Sequence, residues 1–175
     1  MVRLFFLVGL PGSGKSTVAN ALLHEYPNRA LISTDRIRLE LYGDEAIQGN
    51  WLQIWQEVEQ RFREAASQIQ RGERSTAIYD ATNAVRQQRR EAIALARQSG
   101  FTQVTGIWLN TPLWLCLQRN QQRDRQVSPH VIQRMSRRLR GAPPSRLEGF
   151  DRLIRVRSQG WELPVFVNLG LPLSD

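Results

Sequence analysis

A glycine-rich stretch near the start of the chain holds the residues best suited to chemistry. Residues 9–16 read GLPGSGKS and match the pattern G-x-x-x-x-G-K-[ST] at every fixed position. Glycines let the backbone turn without Cβ clashes, so that consecutive N–H groups can point inward and hold phosphate oxygens. Lys15 is expected to reach the β- and γ-phosphates, and Ser16 to place its hydroxyl on Mg²⁺. The predicted nucleotide-binding residues of this stretch are Gly9, Gly12, Ser13, Gly14, Lys15, Ser16 and Thr17.

The context of this stretch favours a nucleotide site over an ordinary glycine turn between a strand and a helix. Leu4–Val8 is a continuous apolar run, typical of a strand that is buried on both faces. Lys15 is the only lysine of a chain that otherwise relies on arginine for strongly basic side chains. A lysine at this one position indicates that a compact ammonium group is needed. We therefore predict a P-loop that binds ATP and Mg²⁺.

Length and composition predict one domain that spans residues 1–175. Hydrophobic residues make up 41% and charged residues 23% of the chain, as in soluble globular proteins. The apolar run at the N-terminus is too short to span a bilayer, so no membrane partner is expected. Cys116 is the single cysteine, which excludes an internal disulfide and fits the reducing cytoplasm. Its apolar setting is typical of a small core residue, and we expect a cytoplasmic protein.

The net charge of +8 is unevenly distributed along the chain. Residues 1–85 hold 9 basic and 10 acidic side chains, a net charge of −1, whereas residues 86–175 hold 15 and 6, a net charge of +9. This asymmetry favours a polyanionic partner in addition to one nucleotide, because each neutralised phosphate adds affinity through counterion release. The alternative is that these arginines only cover solvated helices.

The spacing of apolar residues predicts five strands that alternate with helices. The predicted strands cover residues 4–8, 30–33, 76–79, 104–109 and 153–156. The predicted helices include residues 16–26, 51–71, 86–99, 112–123 and 129–140, of which the last two (about 112–140) form a helical lid. The alternation predicts an α/β fold, with a parallel five-stranded P-loop NTPase sheet flanked by helices. Residues 161–167 are predicted to form an edge strand or a docked tail.

Polar residues follow the carboxyl end of the predicted second strand, at the edge where parallel sheets bind ligands. Asp35 can accept the proton of a hydroxyl that attacks the γ-phosphate. Arg38 lies one turn further along a predicted helix, where it can bind a phosphate of the acceptor. The alternative is that Asp35 caps this helix and that Arg38 is merely solvated.

A second polar group lies at the end of the predicted third strand. Asp80 occupies the position at which many P-loop proteins orient the hydration shell of Mg²⁺, so it is predicted to act on the metal through water. Thr82 and Asn83 are expected either to hydrogen-bond phosphate or to cap the next helix.

Two arginines in the predicted lid are four residues apart. Arg119 and Arg123 are predicted to share one face of the helix 112–123, and Arg125 follows at once. They can close over ATP and stabilise the charge that develops on the transferring phosphoryl group, unless they form only a solvated basic face. Trp51 and Trp55, also four residues apart, are predicted to lie in the core rather than to form a base-stacking platform.

Several of these segments together resemble the polynucleotide 5′-hydroxyl kinases and, more broadly, small P-loop kinases of the AAA type. The similar segments are GLPGSGKST (9–17), STDRIR (33–38), DATN (80–83), CLQRNQQR (116–123), VSPHVIQRM (127–135) and EGFD (148–151). The resemblance implies that Lys15 and Ser16 hold ATP and Mg²⁺, and that Asp35 is the general base. It also implies that Arg38 contacts the acceptor phosphate. By the same resemblance, Arg119 and Arg123 are the arginines of the lid.

The sequence therefore predicts a kinase that transfers the γ-phosphoryl group of ATP to a hydroxyl, with the 5′-OH of a nucleic acid as the favoured acceptor. One rival keeps this chemistry with a small metabolite or an aminoacylated tRNA as acceptor, because phosphoseryl-tRNA kinases are similar over the same segments. The other rival is a nucleotide-dependent binding module or ATPase switch. The placement of Asp35 favours a kinase, and the glutamate that a motor-type ATPase carries is missing, because Ala81 follows Asp80.

Overall fold

A five-stranded parallel sheet forms the centre of the computed structural model, which describes residues 1–45 and 47–157. The strands are β1 (Arg3–Val8), β2 (Ala30–Ser33), β3 (Ala77–Asp80), β4 (Gln103–Leu109) and β5 (Arg152–Val156), in the spatial order β2-β3-β1-β4-β5. Strand β1 pairs in parallel with both β3 and β4, which places the P-loop that follows it at the middle of the carboxyl edge. The predicted parallel α/β fold is confirmed.

Helices cover both faces of this sheet. They are α1 (Lys15–Glu25), α2 (Thr34–Tyr42), α3 (Trp51–Gln70), α4 (Arg86–Gln98), α5 (Leu113–Gln121) and α6 (Pro129–Gly141). A short 3₁₀ turn, Arg146–Glu148, precedes β5. None of the helices in the described residues is long and apolar enough to cross a bilayer.

The central strand supplies both halves of the core because its side chains alternate between the two faces of the sheet. Phe6 packs with Phe62 and other residues of α3 and α4 in one buried cluster. Phe5 points to the opposite face and clusters with Val18 and Leu22 of α1. Burial on both faces explains why β1 reads as a continuous apolar run.

Local capping determines where α2 and α3 begin. Asn50 accepts the N–H of Leu52 through Oδ1 (2.9 Å), which starts α3 as predicted. Ser33, and not Asp35, caps α2, since its Oγ accepts the N–H of Arg36 (3.5 Å). The capping alternative for Asp35 is therefore wrong, and its carboxylate is not used at the helix terminus.

Helix α5 is shorter than predicted, and its end lies between Arg119 and Arg123, the two arginines predicted for the lid. It ends at Gln121 because the buried side chain of Asn120 turns the chain back towards α6. The Asn120 amide donates to the carbonyl of Val127 (2.8 Å) and accepts its N–H (2.9 Å). Arg123 lies in the turn after α5, so the prediction that Arg119 and Arg123 share one helix face is wrong.

The remaining predicted boundaries agree with the structure within a few residues. Pro112 stands at the N-cap position of α5 rather than inside its first turn, and Pro129 opens α6. Gly100 follows α4 with a φ of +106°, as a glycine after a helix end should. The predicted stretch 161–167 lies outside the described residues.

Candidate functional site

Two long-range hydrogen bonds hold the P-loop in shape. The N–H of Gly9 donates to the carbonyl of Thr82 (3.1 Å), which joins the start of the loop to the segment after β3. The hydroxyl of Thr111 donates to the carbonyl of Ser13 (3.0 Å) from the segment after β4. Because the Gly9 N–H is already used within the protein, Gly9 shapes the loop and does not present this donor to a phosphate.

The P-loop also packs closely against α5. Gly12 has a φ of +78°, and a Cβ at this position would lie 2.4 Å from the carbonyl oxygen of Cys116. Only glycine satisfies both the backbone angle and the close approach. Arg119 of α5 extends along the loop, with Nη1 3.9 Å from where a Cβ on Gly14 would be. As predicted, Cys116 is a core residue, and burial raises the pKa of its thiol to about 11.

Lys15 is the cation at the base of this loop. It is only 9% exposed, and its Nζ donates to the carbonyl of Leu10 (2.9 Å). Burial lowers the pKa of Lys15, and the carboxylates of Asp80 and Asp35 act in the opposite direction. The first N–H groups of α1 have no acceptor within the helix, and the helix dipole is positive there. Together with the ammonium, these groups are suited to holding an anion.

The side chains of Ser16 and Asp80 are in direct contact. The hydroxyl of Ser16 donates to Oδ2 of Asp80 (2.9 Å). Burial raises the pKa of Asp80, while Lys15 and the Ser16 hydrogen bond favour its charged form. Hydroxyl and carboxylate oxygens are the protein ligands that Mg²⁺ prefers, directly or through water, so this donor set fits the predicted ion.

A cleft of about 970 Å³ opens at the carboxyl edge of the sheet. Its wall is formed by the P-loop, α2, the start of α3, the end of β3, the chain between α5 and α6, and the first half of α6. Predicted site residues in this wall are Gly12, Gly14, Lys15, Ser16, Asp35, Arg38, Asp80, Asn83 and Arg123. The other predicted residues, Gly9, Ser13, Thr17 and Arg119, are not part of the wall that the structure describes. Ser13 is a buried residue of the P-loop, and Thr17 is exposed on α1.

Asp35 faces this cleft between two arginines. Its Oδ1 pairs with Nη1 of Arg38 (2.9 Å), and its Oδ2 lies 3.6 Å from Nη1 of Arg125. Arg125 also contacts Glu45 (3.1 Å). Asp35 acts on the pKa values of Lys15 and Asp80, so the three charged groups belong to one site. In the sequence, the only signal for Arg125 was that it follows closely after Arg119 and Arg123.

Asn83 supports the rim of the cleft. It adopts a φ of +53° and donates from Nδ2 to the carbonyls of Leu7 (2.8 Å) and Ala81 (3.3 Å). Val85, and not Asn83, occupies the N-cap of α4, so the capping alternative is wrong. The contact of Asn83 with substrate stays a prediction.

A buried ion pair behind Asn83 was missed by reasoning from the sequence. Arg89 is fully buried and makes a bidentate pair with Glu148 (2.6 and 2.7 Å). Its guanidinium also donates to the carbonyls of Asn83 (3.2 Å) and Ala142 (2.8 Å). The available signal was an arginine on the apolar face of α4, three residues before the buried Ala92.

The two tryptophans of α3, which were predicted to lie in the core, both line the cleft. Trp51 is 49% exposed, whereas Trp55 is half-buried and packs against the core. Their ring centroids are 5.8 Å apart, and both rings line the cleft. The core prediction is therefore wrong for Trp51, because α3 begins at the carboxyl edge of the sheet, where the first turn faces the opening.

Solved structures of several P-loop kinases share this fold. A chain of the Pnkp1/Rnl/Hen1 RNA repair complex matches with a TM-score of 0.66 at 19% identity, over 80% of this chain and 44% of that chain. A fungal RNA kinase matches with a TM-score of 0.64 at 17% identity, over 92% and 76%. Shikimate kinase from Acinetobacter baumannii matches with a TM-score of 0.57 at 22% identity, over 91% and 86%. This chain thus spans less than half of the RNA-repair chain, and at these identities the likeness shows the fold.

Sequence comparison identifies the family. Residues 4–142 match the family model AAA_33, described as an AAA domain. This range includes the P-loop, Asp35, Asp80 and both helices of the predicted lid. The chain is a P-loop protein that belongs to the AAA_33 family of AAA domains.

Proposed function

We propose that this protein is an ATP-dependent kinase that transfers the γ-phosphoryl group to a hydroxyl acceptor, with the 5′-OH end of a nucleic acid as the favoured acceptor. The observation that carries the proposal is the position of Asp35. This carboxylate is exposed to the same cleft as the P-loop, and it is near enough to Lys15 to act on its pKa. A P-loop that only hydrolyses or senses ATP does not need a carboxylate held between two arginines at this place.

The charged groups divide the work of phosphoryl transfer. Asp35 accepts the proton of the attacking hydroxyl, and its pairing with Arg38 holds the carboxylate in place. Lys15 and the N–H groups at the start of α1 neutralise the phosphate oxygens, and Arg123 adds positive charge from the turn after α5. Mg²⁺, when held by Ser16 and Asp80, adds positive charge at the phosphates.

Two features support a nucleic-acid acceptor. Arg38 and Arg125 flank Asp35, Arg134 lines the same cleft, and arginine recognises phosphate in bidentate geometry. Two of the chains that share the fold come from an RNA repair complex and a fungal RNA kinase. Others are described as a shikimate kinase and a sugar kinase, so small hydroxyl compounds belong in the test.

The test supplies γ-labelled ATP with single-stranded 5′-OH oligonucleotides, shikimate, simple sugars and water. Label is expected in the oligonucleotides. Label in a small compound alone would change the acceptor class, and release as free phosphate alone would contradict a kinase.

Asp35→Asn is expected to reduce transfer by about 10²- to 10⁴-fold because the general base is lost. ATP affinity, measured by calorimetry, should be retained, since the P-loop is untouched. Asp124→Asn is the matched control: it removes one exposed carboxylate from the wall of the same cleft and should leave the rate unchanged. Equal rates for Asp35→Asn and the wild type would remove Asp35 from the mechanism.

A further inference from the structure

An exposed aromatic surface lies in the cleft where a phosphoryl acceptor has to enter. Trp51 leaves half of its surface in solvent, and so does its neighbour Leu52, which is 62% exposed but does not line the cleft. Further along α3, Ile54, Val58 and Phe62 are buried. Trp55 supports Trp51 from below at a tilt of 30° between the rings. An indole that is held open on a concave charged surface offers a flat face for a planar ligand.

The start of α3 is held in a defined position by the end of α2. The hydroxyl of Tyr42 accepts the N–H of Asn50 (2.9 Å) and donates to Oε1 of Gln53 (2.9 Å). Gly49 has a φ of +59° and crosses the Tyr42 ring so closely that a Cβ would lie 2.1 Å from it. These contacts leave little freedom for the first turn of α3, which carries Trp51.

This anchoring places the tryptophans on the acceptor side of the cleft. Helix α2 carries Asp35 and Arg38 near its start and Tyr42 at its end. An ion pair between Glu40 and Arg61 joins α2 to α3 a second time. The P-loop, in contrast, packs against α5, on which Arg119 lies. The aromatic surface therefore belongs with the proposed base rather than with the residues predicted to hold ATP.

The charges around the aromatic surface fit a phosphate-bearing ligand. Among the described residues that line the cleft, six are basic and four are acidic. Two of the acidic four, Asp35 and Asp80, already have predicted roles in the reaction. Arg38 is 13% exposed, and its Nε is buried without a hydrogen-bond acceptor in the described residues. A flat apolar face in the same cleft as several guanidinium groups matches a nucleobase with its flanking phosphates.

We propose that Trp51, supported by Trp55, stacks on the nucleobase at the 5′ end of a single-stranded nucleic-acid acceptor, which positions the terminal hydroxyl at Asp35. This inference rests on the proposed kinase function and adds to it a recognition element for the acceptor. It excludes small polyols as the best acceptors, because they have no planar face to stack.

The test compares two single-stranded 5′-OH oligonucleotides that differ only in whether the 5′-terminal residue carries a base. Binding is measured by fluorescence anisotropy and label transfer from γ-labelled ATP is measured separately. Wild-type protein is expected to prefer the base-bearing oligonucleotide by about 10- to 100-fold in both measurements. Trp51→Ala should abolish this preference by weakening only the base-bearing oligonucleotide, and Trp51→Phe should restore most of it.

Trp114→Ala is the matched control, since Trp114 is 60% exposed on α5 and is not among the residues that line the cleft. It should keep the full preference. Circular dichroism melting is expected to show that Trp51→Ala folds normally, because the ring is half in solvent.

The stacking proposal and the kinase proposal fail in different ways. Equal binding of both oligonucleotides by the wild type would overturn stacking, whereas label transfer to either one would leave the kinase in place. A Trp51→Ala variant that loses affinity for ATP, but not for oligonucleotides, would overturn the assignment of the rings to the acceptor. Absence of label transfer to any hydroxyl would remove the kinase function itself.

Discussion

Lys15 and Asp80 are opposite charges that the fold removes from water at the same place. Burial lowers the pKa of Lys15 and raises the pKa of Asp80, so each charge is maintained partly by the other. Such a pair is costly without further partners. A triphosphate beside Lys15, and a cation beside Ser16 and Asp80, would provide them. We therefore expect nucleotide and Mg²⁺ binding to depend strongly on these few groups.

The raised pKa of Asp80 predicts a pH dependence with a definite sign. Lowering the pH protonates Asp80 earlier than an ordinary aspartate, so the Mg²⁺-dependent part of ATP affinity should fall as the solution becomes acidic. Asp80→Asn should reduce this part of the affinity by about 10- to 100-fold at neutral pH and flatten the pH profile. Calorimetric titration of ATP with and without Mg²⁺ measures both. A variant that keeps the wild-type profile would exclude Asp80 as the titrating group.

Around the site, helices and loops are joined by polar contacts that the local sequence pattern does not predict. The Arg89–Glu148 pair connects α4, the segment after β3 and the end of α6. It is almost completely buried, so removing one partner leaves an uncompensated charge in the interior. Asn120 likewise connects α5 to the chain before α6, through neutral hydrogen bonds to the backbone of Val127. The placement of α5 and α6, the predicted lid helices, thus depends on single polar side chains.

Glu148→Gln is expected to lower the free energy of unfolding by about 3–5 kcal/mol, because Arg89 stays buried without a counter-charge. Urea denaturation measures the loss. Glu73→Gln is the matched control: Glu73 pairs with Arg71 in solvent, and its removal should leave the unfolding curve unchanged. If both variants unfold at the same urea concentration, the buried pair has no special role.

At the scale of the whole molecule, part of the excess positive charge of residues 86–175 lies at the cleft. Arg123, Arg125 and Arg134 come from the basic half of the chain and line the cleft whose other wall contains the P-loop. The remaining arginines of α6, such as Arg137 and Arg138, extend the basic surface along an exposed helix. A field of this kind attracts polyanions and weakens as salt is added.

Oligonucleotide affinity should therefore decrease steeply with ionic strength. Arg134→Gln is expected to lower the slope of log affinity against log salt by about 0.7, the value for one phosphate contact on a single strand. Arg63→Gln removes the same charge from an exposed site on α3 outside the described cleft wall and should leave the slope unchanged. Fluorescence anisotropy across a salt series gives both slopes. If the oligonucleotide affinity of the wild type does not change with salt, these arginines only cover a solvated surface.

Much of the fold was predictable because its causes are local in the chain. The continuous apolar run of β1, the glycines and lysine of the P-loop, and the cap at Asn50 each act over a few residues. Alternation of strands and helices then restricts the sheet to a parallel order. The end of α5 could not be predicted in this way, because it depends on a hydrogen bond between Asn120 and Val127, seven residues apart.

The sequence by itself therefore determined the fold class, the phosphate-binding loop and the edge of the sheet at which the polar residues gather. Only the tertiary structure decided that Arg125 meets Asp35, that Arg89 pairs with Glu148 fifty-nine positions away, and that Trp51 opens into the cleft. Periodicity reports which face of a helix is apolar, but it does not report what lies opposite that face. Contacts between distant segments depend on how the helices pack over the sheet, and that packing is a property of the whole chain.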